Sequence, residues 1–172
     1  MNCKSCGKNN GLEGREFCRN CFLRSVEHRI KKELRLIKKD SIILQVDESA
    51  ASKVLEQVIS QVFENSKRTI KKVAKPVENA FVPVTLDEIN AEFLKSILFR
   101  KTSGKKGERL KFPLARVTSE ECEEYCRIKG IKHEPRNKDE IQKLLGEIEK
   151  TYSGTHFSLK STREKLDEIR KK

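Results

Sequence analysis

The chain reads as an α/β protein built on a parallel sheet, with a small cysteine-rich appendage at its N-terminus. Three observations carry that class. A short apolar run, Ile42-Ile43-Leu44-Gln45-Val46, ends in acid and passes at once into a polar turn and an amphipathic helix. Four of the six cysteines fall within the first 21 residues as two Cys-x-x-Cys pairs. Charged residues (37%) outnumber apolar ones (35%), which leaves room in 172 residues for one modest core, a small appendage and a heavily ionised surface.

The cysteine pairs come first in the chain. Cys3 with Cys6 and Cys18 with Cys21 are two knuckles separated by eleven residues, the ligand spacing of a tetrahedral zinc site. So short a segment cannot build a hydrophobic core, and a bound ion would supply its folding energy. Two disulfides are the first alternative. They need an oxidising compartment, and the chain begins Met-Asn-Cys with no apolar signal segment. An iron–sulfur cluster is the second, because four thiolates can also hold one. We expect structural zinc.

After the second knuckle, Phe22, Val26, Ile30, Leu34 and Ile37 recur at helical spacing, with bases on the opposite face. The strand Ile42–Val46 then leads through Asp47-Glu48-Ser49-Ala50-Ala51-Ser52 into a helix carrying Val54, Leu55, Val58, Ile59, Val62 and Phe63. Strand, tight polar turn and helix are the first half of a nucleotide-binding βαβ unit. Short strands are expected around Ile70–Val73 and Phe81–Val84, limited by Pro76 and Pro83. Thr85 or Asp87 can cap a helix over Leu86–Phe99. Arg100–Lys111 is rich in Gly and Lys and reads as a loop, and Phe112–Val117 as a return to the sheet. Thr118 or Ser119 caps the next helix, which runs through Ile128 and stops at Gly130. Helices over Lys138–Thr151 and Ser161–Lys171 follow, around the turn Tyr152-Ser-Gly-Thr. The resulting division is a finger over residues 1–24, a basic connecting helix over 25–39 and an α/β domain over 40–172.

The net charge of +12 is clustered. Residues 1–40 hold eleven Lys/Arg against five Asp/Glu, residues 67–75 five bases and no acid, and residues 100–111 six bases against Glu108 alone. Such clusters suit a polyanion, nucleic acid above all. Two Tyr and eight Phe offer no evident stacking platform for single strands. No run approaches the roughly 18 apolar residues of a membrane span. We therefore expect a soluble, cytoplasmic protein with no membrane partner.

Other chemistry-bearing residues suggest little. Cys122 and Cys126 share one face of a helix, and with no further ligand nearby they read as small buried apolar side chains. His28, His133 and His156 are far apart and lack the Ser, Asp or Cys arrangement of nucleophilic catalysis. His28 lies on the polar side of the basic helix, His133 in a loop and His156 in a turn.

The order of these segments resembles the PP-loop ATP pyrophosphatases that thiolate tRNA. It is most similar to their non-catalytic subunit, the cytoplasmic tRNA 2-thiolation protein 2 family, in a short archaeal-like form. Cys3-Lys-Ser-Cys6 with Phe17-Cys18-Arg-Asn-Cys21-Phe22 looks like that family's finger, and IILQVDESAASKVL stands at its strand, phosphate loop and helix. Phe81 to Leu94 and Phe112 to Glu121, with Tyr125 beyond, look like later family elements. The resemblance implies a shortened PP-loop (adenine nucleotide α-hydrolase-like) domain. It also implies a role in wobble-uridine 2-thiolation beside an active ATP-dependent thiolase, in a heterodimer that contacts tRNA.

The departures bear on activity. An active PP-loop carries S-G-G-x-D-S, whose glycines let backbone N–H groups reach the phosphates. Here Asp47-Glu48-Ser49-Ala50-Ala51-Ser52 aligns with it. Both glycines are gone, and two carboxylates stand beside the triphosphate's place. Each like-charge contact at ~4 Å costs on the order of 1–4 kcal/mol, so no bound ATP and no enzyme activity are expected. Asp47, Glu48, Ser49 and Ser52 are read as a degenerate nucleotide loop. Arg19, Arg24, Arg29, Lys31 and Lys32 of the finger helix, with Arg100, Lys101, Lys105 and Lys106 of the Arg100–Lys111 loop, are the candidates for RNA phosphates. Two other functions fit the same residues: an active PP-loop sulfurtransferase using Cys122 or Cys126, and a free-standing zinc-ribbon nucleic-acid module. Homodimerisation through exposed sheet edges is a further expectation.

Overall fold

A computed structural model describes residues 2–8, 16–34, 41–64, 69–99 and 110–170. The fold is α/β. Among the described residues it has a two-stranded parallel sheet and six helices, preceded by the cysteine-rich turn at residues 2–8. Strand β1 (Ser41–Gln45) pairs in parallel with β2 (Thr69–Val73), Ser41 opposite Thr69 and Gln45 opposite Val73. Helix α2 (Ala50–Phe63) makes the crossover between them.

The sheet continues past its named strands as single bridges. Phe81 pairs in parallel with Leu44 on the other side of β1, and Lys111 pairs with Phe81. The Phe81 N–H donates to Ile43 O at 2.8 Å, and the Gln45 N–H donates to Phe81 O at 2.9 Å. The Val82 N–H and Lys111 N–H bonds, each 2.9 Å, tie that segment to the next. The spatial order is therefore β2, β1, Phe81, Lys111. β1 lies at the point where the chain goes first to one side and then to the other, so a crevice forms at its C-terminal end.

Two expectations are corrected. The return to the sheet lies at Lys111 rather than over Phe112–Val117. Pro113 has no N–H to give a ladder, and Ala115 and Val117 donate to Phe112 O and Leu114 O in successive turns. The last helix, α6, spans Thr155–Arg170, so His156 is inside it and not in a turn. Gly154, at φ +92°, makes the tight connection, and Glu149 accepts from the N–H groups of Gly154 and His156.

The core gathers Ile42 and Leu44 of β1, Phe81, the α2 face Val54, Leu55, Val58 and Ile59, and Leu114 and Val117. Helix α1 (Arg19–Leu34) adds Phe22, Val26, Ile30 and Leu34, one apolar stripe at steps of four. It packs on α2 and on α4 (Ser119–Lys129). α1 begins between the second pair of cysteines and runs unbroken past residue 24, so finger and basic helix share one element. Helices α3 (Leu86–Leu98), α5 (Glu140–Thr151) and α6 pack on one another as a second group. Among the described residues no helix is long and apolar enough to cross a membrane.

Candidate functional site

Two places gather chemistry-bearing side chains, the cysteine cluster and the crevice at the end of β1. In the first, Cys3, Cys6, Cys18 and Cys21 bring their four sulfurs within 4.8 Å of one another. The first knuckle closes when Gly7, at φ +70°, donates its N–H to Cys3 O, and Cys3 donates to Lys8 O. The second knuckle is the start of α1, where Phe22 donates to Cys18 O. The Cys18 N–H, the largest influence on the Cys3 thiol, points at its sulfur from 3.3 Å and helps pull its pKa down to about 6. At Cys21, Ser5 pulls the thiol down, but the Cys18 and Cys6 sulfurs outweigh it and push it up to about 12. Four sulfurs this close cannot all ionise without a cation among them. The cluster can hold one metal ion.

The crevice is built at the N-terminus of α2. Ser49 caps that helix by accepting from the Ser52 N–H at 3.3 Å, while the Ser52 hydroxyl accepts from the Asp47 N–H at 2.9 Å. The Asp47 carboxylate turns back into the turn. Its Oδ1 accepts from the Ser49 N–H (2.9 Å) and from the Ser49 hydroxyl (2.5 Å), and its Oδ2 accepts from Arg136 at 2.6 Å. Arg136 also donates to Glu88 Oε1 (2.8 Å) and Pro83 O (2.9 Å). Glu88 in turn caps α3 by accepting from the Thr85 N–H at 2.8 Å. The loop carrying Arg136 is pinned over the turn, since the Glu134 N–H donates to Glu48 O at 2.7 Å.

This geometry replaces the simple repulsion expected from sequence. Asp47 is ion-paired with Arg136, and Glu48 with Lys53 at 2.7 Å, so neither charge stands unopposed. The Ser49 N–H and hydroxyl, the Ser52 N–H and Arg136 are all engaged by acceptors of the chain itself. Burial raises the Asp47 carboxyl, but the Ser49 bonds and Arg136 outweigh it and hold the group below the ordinary carboxylate range. The remaining cleft between Ser49, Glu88, Ser119 and Arg136 measures about 20 Å³, against roughly 300 Å³ or more for a small-molecule pocket. A larger neighbouring cleft of about 370 Å³ lies between α3, α4, α5 and α6, where the acids Asp87, Glu120, Glu121 and Glu149 outnumber Lys138 and Lys150 and disfavour a phosphate. Sequence reasoning missed Arg136. It stands in HEPRNKDE, a stretch without periodicity, 89 residues from its partner.

The remaining candidates divide. Arg19, Arg24 and Lys32 are exposed on α1. Arg29 is committed to the fold: it donates to both carboxylate oxygens of Glu121 (2.5 and 3.0 Å) and to Arg116 O at 2.7 Å. Lys31 pairs with Glu27 at 3.3 Å. Arg100, Lys101, Lys105 and Lys106 lie outside the described residues. Cys122 and Cys126 are fully buried against α2, the latter 3.7 Å from Ala50 O. Burial pushes Cys122 well above an ordinary thiol and Cys126 up to about 11, so both stay protonated at neutral pH. Tyr125 is buried and donates to Glu27 at 2.9 Å, and His28 is exposed on α1. His133 is half-buried in the loop after α4, whereas His156 is buried and accepts at its backbone oxygen from Asn90 (2.8 Å).

The fold matches that of a solved tRNA-modifying enzyme, the U34-tRNA thiolase NcsA from Methanococcus maripaludis with its 4Fe–4S cluster. The TM-score is 0.79 at 12% sequence identity, over 96% of this chain and 88% of that one. At that identity the likeness establishes the fold. No protein-family model matches the chain, and no curated protein does.

The depressed Asp47 carboxyl sets a pH signature. Its stabilising contribution is complete above the unfolded-state value of about 3.9 and is lost as pH falls through the lower native value. Asp47→Asn should therefore lower the urea midpoint at neutral pH, with the gap to wild type closing in strong acid. A gap of constant size down the whole titration would show that the charge is not what counts.

Proposed function

We propose that this chain is a non-catalytic subunit in 2-thiolation of the tRNA wobble uridine, cytoplasmic, paired with an active ATP-dependent thiolase. One observation carries the reading. In a fold shared with a tRNA thiolase, the crevice that would receive a triphosphate is filled by the chain's own Asp47–Arg136 pair. The buried, protonated Cys122 and Cys126 point the same way, because sulfur transfer needs a thiolate that substrate can reach. What is left is a scaffold with a basic helix. Arg19, Arg24 and Lys32 would meet tRNA phosphates, giving affinity without reading sequence.

The reading is tested in the native cell. Deleting the gene should abolish or sharply reduce 2-thiolated wobble uridine, measured by mass spectrometry of digested tRNA, and the tagged chain should co-purify with a PP-loop protein. Normal thiolation in the deletion strain would reject it.

For the cysteine cluster, zinc fits best. A zinc ion bound by four thiolates at about 2.3 Å has sulfur–sulfur edges near ~3.8 Å, and Cys6 and Cys18 are 3.7 Å apart. A four-iron cubane spreads its thiolates wider than one ion does. When bound, the ion supplies the folding energy that this coreless segment lacks. Purified protein should carry one zinc per chain by elemental analysis and release it to a strong chelator, or on acidification as the thiolates take up protons. Iron and acid-labile sulfide in that analysis would reject zinc.

The α1 surface gives a second quantitative test. Neutralising Arg19, Arg24 and Lys32 together should shallow the slope of log Kd for tRNA against log salt by about 2–3, at roughly 0.7–0.9 per lost phosphate contact. Arg29→Gln should leave that slope alone and instead lower stability by about 1–3 kcal/mol, the usual loss for a charged hydrogen-bonding partner. Equal slopes for the triple variant and wild type would remove α1 from the RNA interface.

A further inference from the structure

The crevice at the end of β1 holds the donors that bind phosphate elsewhere: a helix N-terminus, a backbone N–H in the preceding turn, a hydroxyl and a guanidinium. Four of these donors already have acceptors within the chain. The Ser49 N–H and hydroxyl bond Asp47 Oδ1, the Ser52 N–H bonds Ser49 Oγ, and Arg136 bonds Asp47 Oδ2, Glu88 and Pro83 O. The two carboxylate oxygens divide the work as two oxygens of a phosphate would. Oδ1 serves the turn before α2, and Oδ2 serves the arginine.

We propose that Asp47 is a built-in anion, an autoinhibitory plug that seats its own carboxylate where an external phosphate would have to bind. Three features support a plug over an incidental ion pair. The aspartate reaches donors from two distant parts of the chain, the α2 turn and Arg136 in the loop after α4. That loop is held down by a second bond, from the Glu134 N–H to Glu48 O. The space left over is small, about 20 Å³, room for a water or two. The inference takes from the proposed function only the inertness of this crevice toward nucleotide. It is independent of tRNA and of any partner subunit.

The test uses the full metal-loaded chain with pyrophosphate and with ATP as probes, titrated by calorimetry. Asp47→Ser removes the carboxylate but leaves a small hydroxyl. It should bind either probe at least tenfold more tightly than wild type, as expected for removing one carboxylate about 4 Å from a bound anion. Adding Arg136→Gln to that variant should abolish the gain, because the freed guanidinium is the new anion's partner. Thermal denaturation checks that each variant is folded. Should Asp47→Ser fail to fold, Asp47→Asn keeps the side chain's shape without its charge and should show a smaller gain of the same sign. A folded Asp47 variant that binds no tighter than wild type overturns the plug and leaves the inert crevice standing. A gain that survives Arg136→Gln overturns it as well. Saturable ATP binding by the wild-type chain overturns the inertness itself.

Discussion

Arg136 joins three parts of the chain that are far apart in sequence: the end of β1 at Asp47, the segment after Phe81 through Pro83 O, and the first turn of α3 through Glu88. A half-buried guanidinium is costly to hold away from water unless its donors are met in a fixed geometry. Here two carboxylates and a carbonyl meet them. The dependence is mutual. Without the arginine, Asp47 and Glu88 would face the same crevice as like charges, and both cap helices, α2 through Ser49 and α3 through Thr85. The placement of two helix starts at the sheet's C-terminal end thus rests on one side chain.

The other end of the molecule is held by different means. The turn at residues 2–8 contributes Cys3 as its one buried apolar residue among those described, too little to fold alone. Its link to the domain is α1, whose first turn carries Cys21 and whose stripe from Phe22 to Leu34 enters the common core. Arg29 locks this helix to α4 by a bidentate bond to Glu121, which also closes the capping box of α4 with Thr118. Cysteine geometry and core packing therefore act on the same sixteen-residue helix. Any ordering of the cysteines is transmitted to the helix that displays Arg19, Arg24 and Lys32.

What was legible in the sequence follows from the range of the forces involved. The strand Ile42–Val46, its polar turn and the helix after it are local patterns, and all three stand where periodicity put them. The cysteine pairs were legible because four ligands at fixed spacing leave a chemist few alternatives. The Arg136 network was not. An ion pair spanning 89 residues leaves no periodic trace, and HEPRNKDE looks like any polar loop. Arg29 misled for the same reason, since a base on the polar face of a helix looks solvated until a distant carboxylate claims it. Phe81 pairs with β1 inside the short strand expected over Phe81–Val84, whereas the bridge at Lys111 escaped because a single residue is too short to alternate, and His156 because Gly154 let the helix begin earlier than the turn residues suggested.

If, as proposed, this turn stands in place of a phosphate loop, losing that loop's glycines would by itself leave the N-terminus of α2 with donors facing an empty crevice. Unmet donors away from bulk water cost about 1–3 kcal/mol each, so simple decay of a phosphate loop is unstable and invites a replacement acceptor. Asp47 accepts from the Ser49 N–H and hydroxyl there, and it brings a charge that Arg136 answers from across the crevice. On the proposed reading, the acid that takes the ligand's place also helps hold the ligand-free crevice together. On this view, inertness toward nucleotide and stability without it have one cause, and a substitution at residue 47 cannot change the first without disturbing the second.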